Sequence, residues 1–371
     1  MSLDPTFRHL CPNCGKEITS VRLEKGLPCN QCLEVEIENN DPISIGEALR
    51  KRGKLYGYSW LYYLEKSYNE FKEYFEKTTS YYLSSAQKSW ARRLLYPESF
   101  SIVAPTGVGK TTLLMAYTAF RAINGLDRKI LYLTPTENLV AQTAERLKGF
   151  INDGIAFYYS SMPKNMKEDM LLKIEKGDYK VLIITPGYLT KKFNKLKEFS
   201  PFGLIVVDDV DSLLRNSKNI DRVLILLGFT EESVETAYKL VTKKMDFSIA
   251  LSNKKEDKIK QLEQEISDLQ MNLLNSNNEE IKGQLIIASA TGRPKGIKHL
   301  IFRELLGFEI GGGTDYLRNV FDTYIISKDV LNEAIQLVKK LGKVGIIFIS
   351  QSYGKNVVKP LINMLKENGI N

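Results

Sequence analysis

Phe100-Ser101-Ile102-Val103-Ala104-Pro105-Thr106-Gly107-Val108-Gly109-Lys110-Thr111-Thr112 runs from a short β-branched segment through a glycine-punctuated turn into a helix-forming stretch. Strand, turn and helix in that order let successive backbone N–H groups converge on a phosphate at the positive end of a helix dipole. Ala104–Thr112 fits the phosphate-loop pattern, with Ala104 where the pattern has its first glycine. Pro105, Thr106, Gly107, Val108, Gly109 and Thr112 are the expected loop contacts. Lys110 adds a compact positive charge at the β- and γ-phosphates, and the Thr111 hydroxyl is an expected Mg²⁺ ligand. ATP and Mg²⁺ are therefore the expected ligands.

Outward from this loop, helical segments alternate with runs at Phe100–Ala104, Lys129–Thr134, Lys180–Thr185 and Leu204–Asp208, and a fifth run follows at Leu285–Ala288. Such alternation predicts an α/β fold with a doubly wound parallel sheet, and continuously apolar runs like Leu204-Ile205-Val206-Val207 suit strands covered on both faces. Asp208 and Asp209 close the fourth run, at the strand end where open α/β sheets bind ligands. Asp208 is expected to hold Mg²⁺ through its water shell, and Asp209 to orient and deprotonate an attacking water. Between Asp208 and the fifth run, Ile259, Leu262, Ile266, Leu269 and Leu273 form a heptad seam within a helical, coiled-coil-like insert assigned to 252–282.

Further residues take meaning from their order. Ser289-Ala290-Thr291 directly follows the fifth run and is expected to couple phosphate state to domain movement. Gln87 lies about twenty residues before the loop, where an amide that donates and accepts matches the adenine edge. Thr134-Pro135-Thr136 and Thr185-Pro186-Gly187 each open a helix at a strand end, so Thr134, Thr136, Thr185 and Gly187 are expected to meet nucleic-acid phosphates.

All four cysteines precede residue 33, as Cys11-x-x-Cys14 and Cys29-x-x-Cys32 with fourteen residues between the pairs. Four thiolates at that spacing predict a closed, structural Zn²⁺ site, whereas redox chemistry would need a thioredoxin-like fold that this short segment cannot build. His9 is a spare donor nearby. The following Tyr-rich stretch carries Leu49, Leu55, Trp60, Tyr63, Leu64, Tyr68, Phe71 and Phe75 at near-helical spacing; it reads as a helix docking on the next domain in preference to a base-stacking surface. The expected domains are a zinc ribbon at 1–40, a helical linker at 41–82, an ATP-binding domain at 83–340, and the start of another α/β domain at 341–371. In that last part Gly345–Ile349 reads as a strand and Gly354–Asn368 as a helix.

With 52 basic against 44 acidic residues, the chain has a net charge of +8, a mild bias toward polyanions. No apolar run reaches the length of a membrane span, and the N-terminus lacks a secretory signal, so no membrane contact and a cytoplasmic address are expected.

In this order the motifs resemble superfamily 2 helicases, and more narrowly the N-terminal helicase-like half of reverse gyrases. The resemblance rests on the cysteine ribbon, on Ser85-Ala86-Gln87-Lys88-Ser89-Trp90-Ala91, on Asp208-Asp209-Val210-Asp211, and on Ser289 to Lys295 leading into Leu300–Phe308 and Tyr316–Asn319. It implies a RecA-like domain and an ATP-dependent DNA topoisomerase that introduces positive supercoils. It also implies a monomer acting on single-stranded or locally unwound duplex DNA, with a topoisomerase portion in the same chain. The second RecA-like domain, its arginine fingers and the strand-cutting tyrosine are then expected beyond Asn371, leaving this portion with weak or no ATPase alone. A free-standing zinc-ribbon helicase or translocase is the alternative enzyme; a nucleotide- and DNA-binding module without turnover is the alternative outside enzymes.

Overall fold

The computed structural model describes residues 5–34, 39–125, 128–277, 282–290, 296–311, 327, 329–341 and 358–369. They fall into two compact units, divided between Thr314 and Asp315. The break precedes the expected boundary at 340, so the helix Val330–Leu341 belongs to the second unit.

The first unit begins with a two-stranded antiparallel ribbon, β1 (Thr6–Phe7) and β2 (Ile18–Thr19), then α1 (Ser20–Glu24). α2 (Pro42–Lys51) is capped by Asp41, whose carboxylate accepts from Ile43 N and Ser44 N. Its Ile45 and Leu49 share one small core with Cys11, Cys29, Cys32 and Tyr58. The zinc-ribbon unit therefore does not stop at residue 40: its core needs α2 and the turn after it. Asn13 fastens the two parts, donating to Lys54 O at 2.7 Å and accepting from Tyr56 N at 2.9 Å.

α3 (Ser59–Thr79) buries Tyr68, Phe71 and Phe75, with Phe71 edge-on to Phe120 at 5.3 Å. Burial of one such ring contributes about 1.5–3 kcal/mol. The expected docking face is real over this half of the helix only, because Trp60 and Tyr63 turn outward. α4 (Ser85–Leu95) starts with a capping box between Ser84 and Gln87.

The sheet then forms in alternation: β3 (Phe100–Val103), α5 (Lys110–Ile123), β4 (Ile130–Leu133), α6 (Glu137–Lys148), β5 (Ile155–Phe157), α7 (Lys164–Lys176), β6 (Val181–Ile184), α8 (Pro186–Lys197) and β7 (Leu204–Asp208). After β7 come α9 (Val210–Leu214), α10 (Lys218–Leu226), α11 (Glu231–Ser252), α12 (Glu256–Asn277), β8 (Gln284–Ser289) and α13 (Ile301–Leu306). Six strands, all parallel, lie in the order β3-β8-β7-β4-β6-β5. The sixth, β5, has no counterpart in the sequence reading. The insert is larger than 252–282, since α11 and α12 pack as a helical hairpin joined through residues 253–255. Its heptad seam turns inward: Leu262 and Leu273 are buried, and Ile266 and Leu269 pack on the main core. Lys243 and Glu265 pair across the hairpin at 2.6 Å.

In the second unit α14 (Val330–Leu341) and α15 (Val358–Glu367) contact each other, bury Ile335 and Leu361, and are bridged by Lys339 Nζ to Asn368 Oδ1 at 2.7 Å. The expected strand at 345–349 lies outside the described residues. No described helix is long and apolar enough to cross a membrane.

Candidate functional site

Strand register decides which residues meet. Val103 pairs with Ser289, Asp208 with Ala288, and Leu133 with Val207, so the C-terminal ends of β3, β8, β7 and β4 form one row. The turn after β3 is held to the row by Ala104 N donating to Ser289 O at 3.1 Å. Gly107 and Gly109 adopt φ of 85° and 86°, where a side chain is strained, and this curls the loop into the start of α5. A Cβ on Gly109 would also sit 2.6 Å from Gln87 Nε2.

The result is a cleft of about 440 Å³ whose lining includes Thr106, Gly107, Lys110, Thr111, Asp208 and Ser289. Thr111 Oγ1 donates to Asp208 Oδ1 at 3.0 Å, and Tyr132 OH donates to Asp208 Oδ2 at 3.1 Å. Lys110 Nζ donates to Ala104 O at 2.5 Å and Pro105 O at 2.7 Å. Burial raises the Asp208 carboxyl above its ordinary value, against the two hydroxyl donors and Lys110, which pull it down. Burial also lowers Lys110, partly countered by Asp208. Asp209 begins α9 with φ 146°, a strained backbone for a non-glycine residue. Its carboxyl is raised by burial and by the Asp211 charge. Hydroxyl, carboxylate and amine thus converge at a helix N-terminus, an arrangement able to hold a phosphate chain with a hard divalent cation.

Gln87 is placed beside the loop, and both ends of its amide are engaged there. Oε1 accepts from Ser84 N at 3.0 Å and Nε2 donates to Gly109 O at 3.1 Å, so in this structure the side chain braces the phosphate loop with one donor and one acceptor site still free. Pro105, Val108 and Thr112 follow the loop as expected, although of these three only Thr112 lines the cleft. Ser289 is buried and Ala290 lies at the cleft wall, while Thr291 is outside the described residues. Tyr132 is a residue of the cleft's floor that sequence reasoning missed: an aromatic in an apolar strand reads as core, and only the structure shows its hydroxyl bonded to Asp208.

A second cleft of about 510 Å³ opens along the same edge, after β4 and β6, and includes Thr136, Thr185, Gly187, Lys191, Arg215 and Asn216 in its wall. Thr134 does not line it: it is 1% exposed, and its hydroxyl donates to Thr136 O at 3.3 Å. The Thr136 and Thr185 hydroxyls are helix caps, accepting from Leu139 N and Tyr188 N. Asn219, also unforeseen, is buried under the turn and donates to Pro186 O at 3.3 Å while accepting from Thr190 and Arg222, both at 2.8 Å.

The cysteine site forms as expected. The sulfurs of Cys11, Cys14, Cys29 and Cys32 all lie within 4.8 Å of one another. Cys29 is 3.7 Å from both Cys14 and Cys32, and a tetrahedron with Zn–S bonds of about 2.3 Å has edges of about 3.8 Å. Burial pushes the Cys32 thiol up to about 12; at Cys11 burial acts the same way but backbone donors outweigh it and bring the thiol to about 7. Four sulfurs at this spacing fit a tetrahedral dication. His9 is exposed and stands outside this cluster.

A six-stranded parallel sheet with a phosphate loop after an edge strand and an acidic strand end two strands away defines a RecA-like nucleotide-binding core. The chain belongs to the DEAD/DEAH box helicase family, whose model matches residues 84–300, and its residues 3–47 match the reverse gyrase zinc finger. It is 45% identical to "Reverse gyrase 2" of Aeropyrum pernix over 99% of this chain and 30% of that protein. It is 36% identical to the reverse gyrase of Thermococcus kodakarensis over 98% of this chain and 22% of that protein. The chain thus carries the zinc finger and helicase-like domain of a reverse gyrase, and spans between a fifth and a third of the length of these relatives. Among solved structures, the DUF1998 helicase MrfA superposes with a TM-score of 0.48 at 16% identity, covering 81% of this chain and 42% of that one.

Proposed function

We propose that this chain is the ATP-driven DNA motor portion of a reverse gyrase, binding MgATP in the cleft after β3 and coupling nucleotide turnover to introduction of positive supercoils by the whole protein. The observation that carries the reading is the 3.0 Å bond between Thr111 and Asp208, which brings the first turn of α5 and the end of β7 to one point.

In this reading Lys110 exchanges the loop carbonyls for phosphate oxygens, and the loop amides from Thr106 to Thr111 hold the β- and γ-phosphates. Thr111 and Asp208 hold Mg²⁺, which when bound neutralises charge developing on the phosphates. Asp209, its basicity raised by burial, orients the attacking water and takes its proton. Ser289, whose carbonyl accepts from the N–H of the loop's first residue, and Ala290 after it report phosphate state along β8. Thr136, Thr185 and Gly187 present helix N-termini to a DNA backbone in the second cleft. The zinc site holds the N-terminal unit together, and the address is the cytoplasm.

Titration with a fluorescent ATP analogue tests the reading. Saturable, Mg²⁺-dependent binding that Lys110→Ala removes is expected; Mg²⁺-independent binding, or binding that Lys110→Ala leaves intact, would falsify it. ATPase measured with and without single-stranded DNA then separates a turning-over motor from a module that only binds.

A further inference from the structure

The first turns of α3 dock on α2 through Tyr62 but leave the Trp60 ring exposed, next to the basic helix α4. Trp60 is 57% and Tyr96 39% exposed, their rings edge to face at 6.3 Å. They wall a cleft of about 650 Å³ with Leu64 at its side and Lys88, Arg92 and Arg93 from α4 along the other. Among the described residues no carboxylate lines it. Arg92 is fixed by two bonds to Glu65, of 3.0 and 2.7 Å, and lies 3.9 Å over the Tyr68 ring. Arg93 rests over Phe100, and Lys88 has no ion-pair partner among the described residues. An exposed indole beside Lys88 and Arg93, with Glu65 spent on Arg92, complements a flat base joined to a phosphate.

We infer that this α3/α4 cleft is a second contact for single-stranded DNA, in which a base stacks on Trp60 and the adjoining phosphates meet Lys88 and Arg93. The inference rests on the reading of the chain as a DNA motor. The cleft is separate from both clefts at the C-terminal edge of the sheet, sharing no lining residue with either. Stacking supplies sequence-tolerant affinity, because every base has a π-face. A contact on the helix that also braces the phosphate loop through Gln87 places bound strand and nucleotide on the two faces of α4.

The chain has two tryptophans, so Trp90→Phe leaves Trp60 as the only indole. Oligothymidylate added to that variant of the full chain is expected to quench Trp60 emission with the same midpoint as binding followed by anisotropy of a labelled strand. Trp60→Ala should weaken binding roughly 5- to 100-fold. Lys88→Ala with Arg93→Ala should reduce the slope of log affinity against log salt by about 1.4, at about 0.7 per phosphate contact on a single strand. Nucleotide binding should persist in each variant. Strand binding without quenching, and with Trp60→Ala as tight as the parent, overturns this site while leaving the motor reading intact. Quenching by MgATP alone overturns it in favour of a free-nucleotide site. Failure of the parent chain to bind any strand overturns both.

Discussion

Replacing Tyr132 by Phe removes one oxygen from beneath Asp208 and nothing else. Tyr132 is fully buried in β4, and its hydroxyl donates to Asp208 Oδ2 at 3.1 Å. A hydrogen bond to a charged acceptor contributes about 1.5–3 kcal/mol. Part of this is offset, because Phe has no hydroxyl to desolvate and water can reach Asp208 from the cleft; the net loss of stability should be about 1 kcal/mol, or about 2 °C in Tm for a unit of this size. The larger effect should be on the metal. Loss of a partner that orients a ligating carboxylate raises the Mg²⁺ concentration needed for half-maximal nucleotide binding by about tenfold. The hydroxyl also holds the Asp208 carboxyl down. Its removal therefore raises that carboxyl further, and the onset of Mg²⁺-dependent binding should move to higher pH. The assay is Mg²⁺ titration of ATP-analogue fluorescence at several pH values, beside thermal melting. A variant with the expected drop in Tm but an unchanged Mg²⁺ midpoint would show Tyr132 to be core alone, and the positioning argument would be wrong.

Burial raises the Asp208 carboxyl in the folded protein, so this group stabilises the fold when protonated and that contribution is lost as pH rises through its folded value. Asp208→Asn should accordingly leave the nucleotide-free protein at least as stable near neutrality, flatten its melting profile on the acid side, and abolish Mg²⁺-dependent nucleotide binding; a large loss of stability would contradict the account. Cys29→Ser, or a strong chelator, should release zinc measured by a colorimetric indicator and unfold the N-terminal unit, whose core is small, while ATP-analogue binding at α5 survives. Gly283→Ala places a Cβ 2.0 Å from Phe202 O. It should destabilise the first unit by about 3 kcal/mol in denaturant unfolding, and a neutral result would mean that β7 and β8 are not spaced as described.

The phosphate loop and Asp208 were legible because their chemistry needs fixed residue types at fixed positions on a strand and a helix. The zinc ligands were legible for the same reason. β5 was not, because Ile155-Ala156-Phe157 follows Gly154 with too few residues to show a period. α11 escaped as half of the insert because its seam partner α12 carries the regular heptads, while α11 buries the small residues Ser233, Ala237 and Ala250 among its larger apolar ones. Thr134 and Thr136 are indistinguishable by type, yet one is buried and the other exposed, which follows from where the strand ends. That Tyr68, Phe71 and Phe75 dock while Trp60 and Tyr63 stay exposed depends on where α5 packs, which is a tertiary fact.

Among the described residues, β3 pairs with β8 and with no other strand. The loop proposed to grip phosphate is therefore joined to the rest of the sheet through the last of its described strands in sequence, after the whole helical hairpin. During synthesis, residues 100–112 leave the ribosome early and can pack on α3 and α4, but β3 has no strand partner until residues 284–289 follow. Closing that long excursion carries an entropic cost before any β3–β8 bond forms. Because β8 lies between β3 and β7, it sets the distance between the loop and Asp208, and a chain interrupted inside the hairpin should bind nucleotide more weakly than the whole.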